Sequence, residues 1–264
     1  MTGTVGLTVE EARRRGQGSS HLDADPTYAR RFLRRVSPYV SWAIVRFTPL
    51  SADAVTVASV VTGVGGGLLV GLGTVPGNIL AVLLMQLACL LDLSDGEVAR
   101  IRRTASRRGT YLDLIGHVFQ NAALYGGAAF TLLTVTKAAP LAIAVTLLLM
   151  AFWMPFGLYA RNHVVPPQAG GSHPDHGPRL SPQRPLAWRS VSALRYAYRR
   201  ISFIWNYPAS MNLFCVALIA DTARLVSGAT APLVVPALLV VFGLSLAIKQ
   251  IAHALSLVSR ADWS

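Results

Sequence analysis

The sequence predicts an all-α, polytopic membrane protein: six transmembrane helices preceded by an N-terminal interfacial amphipathic helix. Three observations predict it. Hydrophobic residues make up 53% of the 264-residue chain and charged residues only 14%, against about 25% charged in ordinary soluble domains. The apolar residues gather into runs close to the roughly 20 residues needed to cross a bilayer. The basic residues fall almost wholly between alternate runs.

Taken in order, residues 1–24 read as a flexible N-terminal tail. They are polar, with no apolar core after their charges, so no signal peptide is expected. Residues 25–47, "DPTYARRFLRRVSPYVSWAIVRF", alternate apolar and basic residues at helical spacing. That pattern suits a helix lying on the cytoplasmic leaflet, although an ordinary positive flank would look similar. Pro49 then breaks the incoming helix, and Ser51 or Asp53 can cap the next.

Residues 48–264 hold the six spans, at roughly 52–72, 77–93, 111–135, 140–159, 208–226 and 232–257. Asp221 and Arg224 make the fifth the least clean. In the first, Gly63, Gly67 and Gly71 recur every four residues, a ridge that lets another helix backbone approach closely. Residues 161–200 form a long Pro/Gly-rich loop and a basic helical run. His163, His173 and His176 there are irregularly spaced and lack cysteine, which favours a solvated loop over a zinc site.

Orientation follows the arginines. Eight precede the first span, five lie in 100–108 and seven in 161–200. All three groups fall on one side if the chain crosses six times. Both termini and the 100–108 loop are therefore expected in the cytoplasm, and the composition suits a bacterial inner membrane. The net charge of +12, set beside apolar segments, points to lipid headgroups and phosphorylated substrates rather than nucleic acid. Cys89 and Cys215 lie in apolar runs and read as packed, reduced thiols.

The joint between the second and third spans is different. "LDLSDGEVARIRRTASRRGTYLDLIGH" (91–117) contains four of the twelve acidic residues, five arginines and a histidine. Asp92 and Asp95 are three apart and share a helix face. Asp113 opens the next span, and the short loop makes the two helices antiparallel neighbours. Three carboxylates can then meet at the cytoplasmic end of the bundle, where they are expensive unless used. Oxygen ligands without cysteine suit Mg²⁺ or Mn²⁺. Gly96 and Ala99 add no bulk, and Arg100 and the arginines at 102, 103, 107 and 108 offer charge for phosphate. A plainer reading is a salt-bridge network among Asp92, Asp95, Asp113 and Arg100.

In order, Asp92-x2-Asp95-Gly96-x2-Ala99-Arg100-x8-Gly109-x3-Asp113-x3-His117 resembles the signature of the CDP-alcohol phosphotransferases, D-x2-D-G-x2-A-R-x8/9-G-x3-D-x3-D. Seven of eight fixed positions match. The six-span layout and the amphipathic helix also look like this family; the extreme N-terminus and the 161–200 loop lie outside the resemblance.

The resemblance implies an enzyme. It would transfer a substituted phosphoryl group from a CDP-alcohol, most plausibly CDP-diacylglycerol, to a hydroxyl acceptor and release CMP. It implies that Asp92, Asp95 and Asp113 bind metal, Mg²⁺ or Mn²⁺ and two ions, and that Gly96, Ala99, Arg100 and Gly109 shape the cytidine nucleotide pocket. It also implies a homodimer, with which the glycine ridge is compatible.

The departure is His117, where the family has a fourth aspartate assigned as the base. Histidine can serve as a base near neutral pH. Two other readings stay open. The site has lost its base, leaving an impaired relative that binds CDP-lipid or a partner without turnover. Or His117 is a packed residue, and a carboxylate such as Glu97 takes the proton. A transporter is a weaker idea, because the acidic cluster is not at the midplane and no repeat relates the halves. Lys249, Gln250 and His253 in the sixth span, and Arg199 and Arg200 before the fifth, could meet phosphate or headgroups. Trp153, Trp205 and Trp263 suit interface anchors.

Overall fold

The computed structural model describes residues 6–17, 32–135 and 209–245. They form α1 (Val9–Gln17), α2 (Arg34–Phe47), α3 (Ala52–Leu69, prolonged by a 3-10 turn at Val70–Leu72), α4 (Val75–Arg102), α5 (Arg107–Val135), α6 (Ala209–Val226) and α7 (Val234–Ser245). No strand occurs among the described residues. The expected span at 140–159, the 161–200 loop, and the positions of Arg199, Arg200, Lys249, Gln250, His253, Trp153, Trp205 and Trp263 lie outside them. Among the described residues two helices are long and apolar enough to cross a membrane, Ala52–Leu72 and Val75–Arg102.

Local chemistry sets the helix ends. Of the two caps the sequence offers for α3, Ser51 is the one used: its side chain accepts from the Ala54 N–H at 3.1 Å. Thr74 caps α4 likewise through the Gly77 N–H at 3.3 Å, with Pro76 in the first turn. At its other end α4 stops on Arg103, left-handed at φ 57°, and the Thr104 N–H closes on the Ala99 carbonyl at 2.8 Å. Ser106 then starts α5, its hydroxyl accepting from the Gly109 N–H at 3.1 Å. Only residues 103–106 separate the two helices, so α4 and α5 return side by side.

The glycine ridge of α3 is occupied by α5. A Cβ on Gly67 would lie 2.6 Å from the Leu124 amide nitrogen, and one on Gly63 2.6 Å from Gln120 Oε1. Gly127 of α5 abuts the Gly67 carbonyl in turn. Two backbones meet here because neither carries a side chain. The close packing expected of the ridge is thus met within one chain.

α4 also packs on α6. Met85, Leu124, Phe214, Leu218 and Leu239 are wholly buried at the centre. Tyr125, Phe214 and Phe242 form a ring cluster with centroids 5.6–5.9 Å apart. Cys89 and Cys215 are buried thiols. Asp221 explains the acidic residue in α6: it is fully buried and caps α7, accepting from the N–H groups of Leu233, Val234 and Val235 at 2.8–2.9 Å.

Residues 9–17 lie in the segment expected to be a flexible tail, but they form α1 and dock on α2 and α4. Leu7, Ala12, Val45, Val98 and Ile101 make a second apolar core under that junction, and Trp42 Nε1 donates to the Leu7 carbonyl at 2.8 Å. Charged residues with only two small apolar anchors gave no periodic signal for this docking. On α2 the pattern is inverted relative to a soluble helix. Ser37 and Ser41 are buried, while Val36, Tyr39 and Phe47 are exposed.

Candidate active site

Helix α4 brings Asp92, Asp95, Gly96, Ala99 and Arg100 to the same end of the bundle as Gly109, Asp113 and His117 of α5. The Nε2 of His117 lies 2.9 Å from Asp92 Oδ1 and 3.2 Å from Asp113 Oδ1. Asp113 and His117 are one turn apart on α5, so their side chains share a face, and Asp92 reaches them across the α4–α5 contact. One ligand atom from each of Asp92, Asp113 and His117 falls within 4.8 Å of the others. Such a group could hold a metal ion, and two carboxylates with an imidazole suit Mg²⁺ less strictly than an all-oxygen set.

Asp95 sits just behind. It is 7% exposed, and its Oδ2 has no hydrogen-bond partner among the described residues. A buried carboxylate oxygen without a donor is costly, so a cation fits the residues present.

A cavity of about 210 Å³ opens beside these groups. Its walls include Asp95, Gly96, Ala99, Arg100, Gly109 and Asp113. Asp92 and His117 are joined to it through Asp113. All eight residues singled out in the sequence are therefore brought together. Among the described residues, a Cβ at Gly109 would meet only Ser106 Oγ at 3.5 Å and Asp53 Oδ1 at 3.6 Å. Its smallness preserves cavity space rather than relieving a clash. Over Gly96 lies the Arg100 guanidinium, with Nη1 3.2 Å from where a Cβ would be.

Sequence reasoning missed the third wall. Ala52, Asp53 and Thr56 of α3 line the cavity. Asp53 was read only as a possible cap, yet two polar residues three apart in an apolar span were a signal for a shared polar face. Asp53 also pairs with Arg108 at 3.5 Å.

Two expectations are corrected. Arg102, read as charge for phosphate, instead clasps the end of α2: it donates to the carbonyls of Leu50, of Thr48 at 2.9 Å and of Ile44 at 3.5 Å. The last carbonyls of a helix need such donors. Glu97, weighed as an alternative proton acceptor, is wholly buried and does not line the cavity. Ser37 and Ser41 hydroxyls hold it at 2.6 Å each, and Gln17 Nε2 at 3.1 Å.

The family model of the CDP-alcohol phosphatidyltransferases matches residues 50–259, most of the chain, a range within which all eight site residues lie. The chain belongs to this family. No curated protein matches it. The CDP-alcohol phosphatidyltransferases transfer substituted phosphate groups in phospholipid biosynthesis. Family and apolar helices together make this chain a membrane protein and an enzyme of that class. Helices α1 and α2 precede the matched region.

Proposed function

We propose that this enzyme transfers a phosphatidyl-type group from a CDP-alcohol, CDP-diacylglycerol being the donor of choice, to a hydroxyl acceptor, with release of CMP. The observation that carries the proposal is the meeting of Asp92, Asp113 and His117 beside a cavity whose wall holds Asp95 with an unanswered oxygen. Asp92, Asp95 and Asp113 would hold Mg²⁺, or Mn²⁺, as two ions. When bound, the metal supplies positive charge to the donor pyrophosphate.

The protein does the rest by placement. Gly96, Ala99 and Gly109 leave room for the cytidine nucleotide, and Arg100 faces its phosphate. His117 takes the proton of the acceptor hydroxyl. The acceptor oxygen forms a bond to the phosphorus that carries the alcohol, and the bridging P–O bond breaks. CMP leaves with that electron pair. Asp92 and Asp113 orient the imidazole and stabilise its positive charge after the transfer, as a carboxylate does for the base of a hydrolase triad.

The surroundings extend this reading. Six spans and two cytoplasmic termini fit the arginine distribution, with the cavity on the cytoplasmic side of a bacterial inner membrane. The exposed apolar face of α2, with Val36, Tyr39 and Phe47, suits an interfacial helix. A homodimer would need a surface other than the glycine ridge, since α5 fills it. A second reading, a relative that binds CDP-lipid without turnover, is favoured by one observation: His117 is already engaged by two carboxylates.

The deciding experiment offers purified protein CDP-diacylglycerol and a panel of polyols, glycerol phosphate and inositol phosphates, with and without Mg²⁺. CMP release that needs one acceptor and the metal supports the transferase. Binding of CMP without release under any condition supports the second reading.

A further inference from the structure

We infer that Glu97 is a positioning residue: it seats α1 against α4 and so aims the Arg100 guanidinium at the nucleotide cavity. The inference rests on the functional reading above and extends it to a part of the chain outside the family match.

Glu97 follows Gly96 and precedes Arg100 by three residues in α4, yet it points away from the cavity into a junction of three helices. It is 0% exposed. Its Oε1 accepts from Ser37 Oγ at 2.6 Å and Gln17 Nε2 at 3.1 Å, and its Oε2 from Ser41 Oγ at 2.6 Å. An ionised carboxylate is acceptor-only, so these donors match its needs. Gln17 Nε2 also reaches the Arg34 carbonyl at 2.7 Å, which ties the end of α1 to the start of α2.

The neighbouring residue completes the link. Gly16 lies directly on Glu97: a Cβ there would sit 3.1 Å from Glu97 Cβ. The Gly16 carbonyl accepts a hydrogen bond from Arg100 Nε. Arg100 is thus gripped at Nε by α1 while its terminal nitrogens lie over Gly96, in the cavity wall. A free arginine side chain has many rotamers to lose on binding phosphate. One held in advance loses fewer, and the anion binds more tightly. An apolar residue at 97 would fill the junction more cheaply than a buried carboxylate. Glu97 instead fixes where α1 ends, and with it the Gly16 carbonyl. The apolar core around Ala12, Val45 and Val98 holds α1 independently, so loosening the seat need not detach the helix.

The test uses full-length protein with Gln17→Ala and Gly16→Val, each alone and combined with Arg100→Ala. Neither Gln17 nor Gly16 lines the cavity. CMP affinity, donor KM and kcat, and thermal unfolding are measured on each. Expected are an approximately tenfold loss of CMP affinity and a matching rise in donor KM, with kcat nearly unchanged and the unfolding temperature modestly lowered, since each variant disturbs the packing or hydrogen bonding of the buried Glu97. That pattern marks lost binding rather than lost chemistry. In the Arg100→Ala background the same changes should add less than about twofold, since the residues act through one another. Glu97→Gln, which keeps the shape, should give a milder loss of the same kind. Wild-type affinity in both single variants, full additivity with Arg100→Ala, or a fall confined to kcat would overturn the inference while leaving the transferase intact. A wild-type protein that binds no CMP would remove the functional reading, and the role of Glu97 with it.

Discussion

The Nε2 of His117 stands 2.9 Å from Asp92 Oδ1, a contact that joins α5 to α4. With Asp113 at 3.2 Å, one imidazole nitrogen faces carboxylates from two helices. A fourth carboxylate here would add like charge to that pair, whereas an imidazole can donate to it when neutral and offset it when protonated.

If His117 is the base, removing it should leave binding and remove chemistry. His117→Ala is expected to lower CMP release by about 10²- to 10⁴-fold, the usual range for general-base catalysis, with CMP affinity retained. His117→Asp, which keeps a group able to accept the proton, should keep measurable turnover. Initial-rate assays on both variants check this.

Asp95 sets function against stability. Its buried Oδ2 is unpartnered among the described residues, so Asp95→Asn removes a costly charge from the apo protein. Turnover should fall at least about 100-fold, while the unfolding temperature in detergent without metal holds or rises. Scanning calorimetry with and without Mg²⁺ separates the two effects: metal should stabilise the wild type and not the variant.

The α3–α5 contact should tolerate no side chain. Gly67→Ala places a Cβ 2.6 Å from the Leu124 backbone nitrogen, and overpacking of this kind costs about 1–3 kcal/mol. Gly126→Ala, on the same pair of helices but with no described residue within 4 Å of its Cβ, should be neutral or slightly stabilising. Thermal unfolding of the two variants side by side is the check.

Asp221 serves α7. Asp221→Ala would strip the caps from three backbone N–H groups at 2.8–2.9 Å. Each unsatisfied buried donor costs about 1–3 kcal/mol, so a marked loss of stability is expected. Asp221→Asn, which keeps a carbonyl oxygen, should recover part of it.

Much of the site was legible because spacing encodes geometry. Asp92 and Asp95 share a helix face by their separation, and Asp113 and His117 by theirs; a four-residue reversal then leaves the helices no choice but to meet. The first two spans were legible as uninterrupted apolar runs. Asp53 and Thr56 were not read as cavity wall, since a polar pair near a helix start looks like capping. α1 escaped notice because its docking depends on Gln17, Gly16 and a trio of polar partners that no hydrophobic period reveals. Glu97 was misjudged for a related reason. Sequence position places it inside the motif, but the turn of α4 points it to the opposite side. The role of Arg102 was hidden too, because a basic loop reads as charge, and only the fold shows which carbonyls need donors.

The most direct measurement is acceptor-dependent CMP release from CDP-diacylglycerol by wild-type protein and by Asp95→Asn, each before and after chelation and Mg²⁺ addition. Release by the wild type that stops with chelator, returns with Mg²⁺ and is absent in Asp95→Asn is the expected result. Equal release by both proteins, or release indifferent to the metal, would contradict a metal-dependent transferase built on the α4–α5 carboxylates.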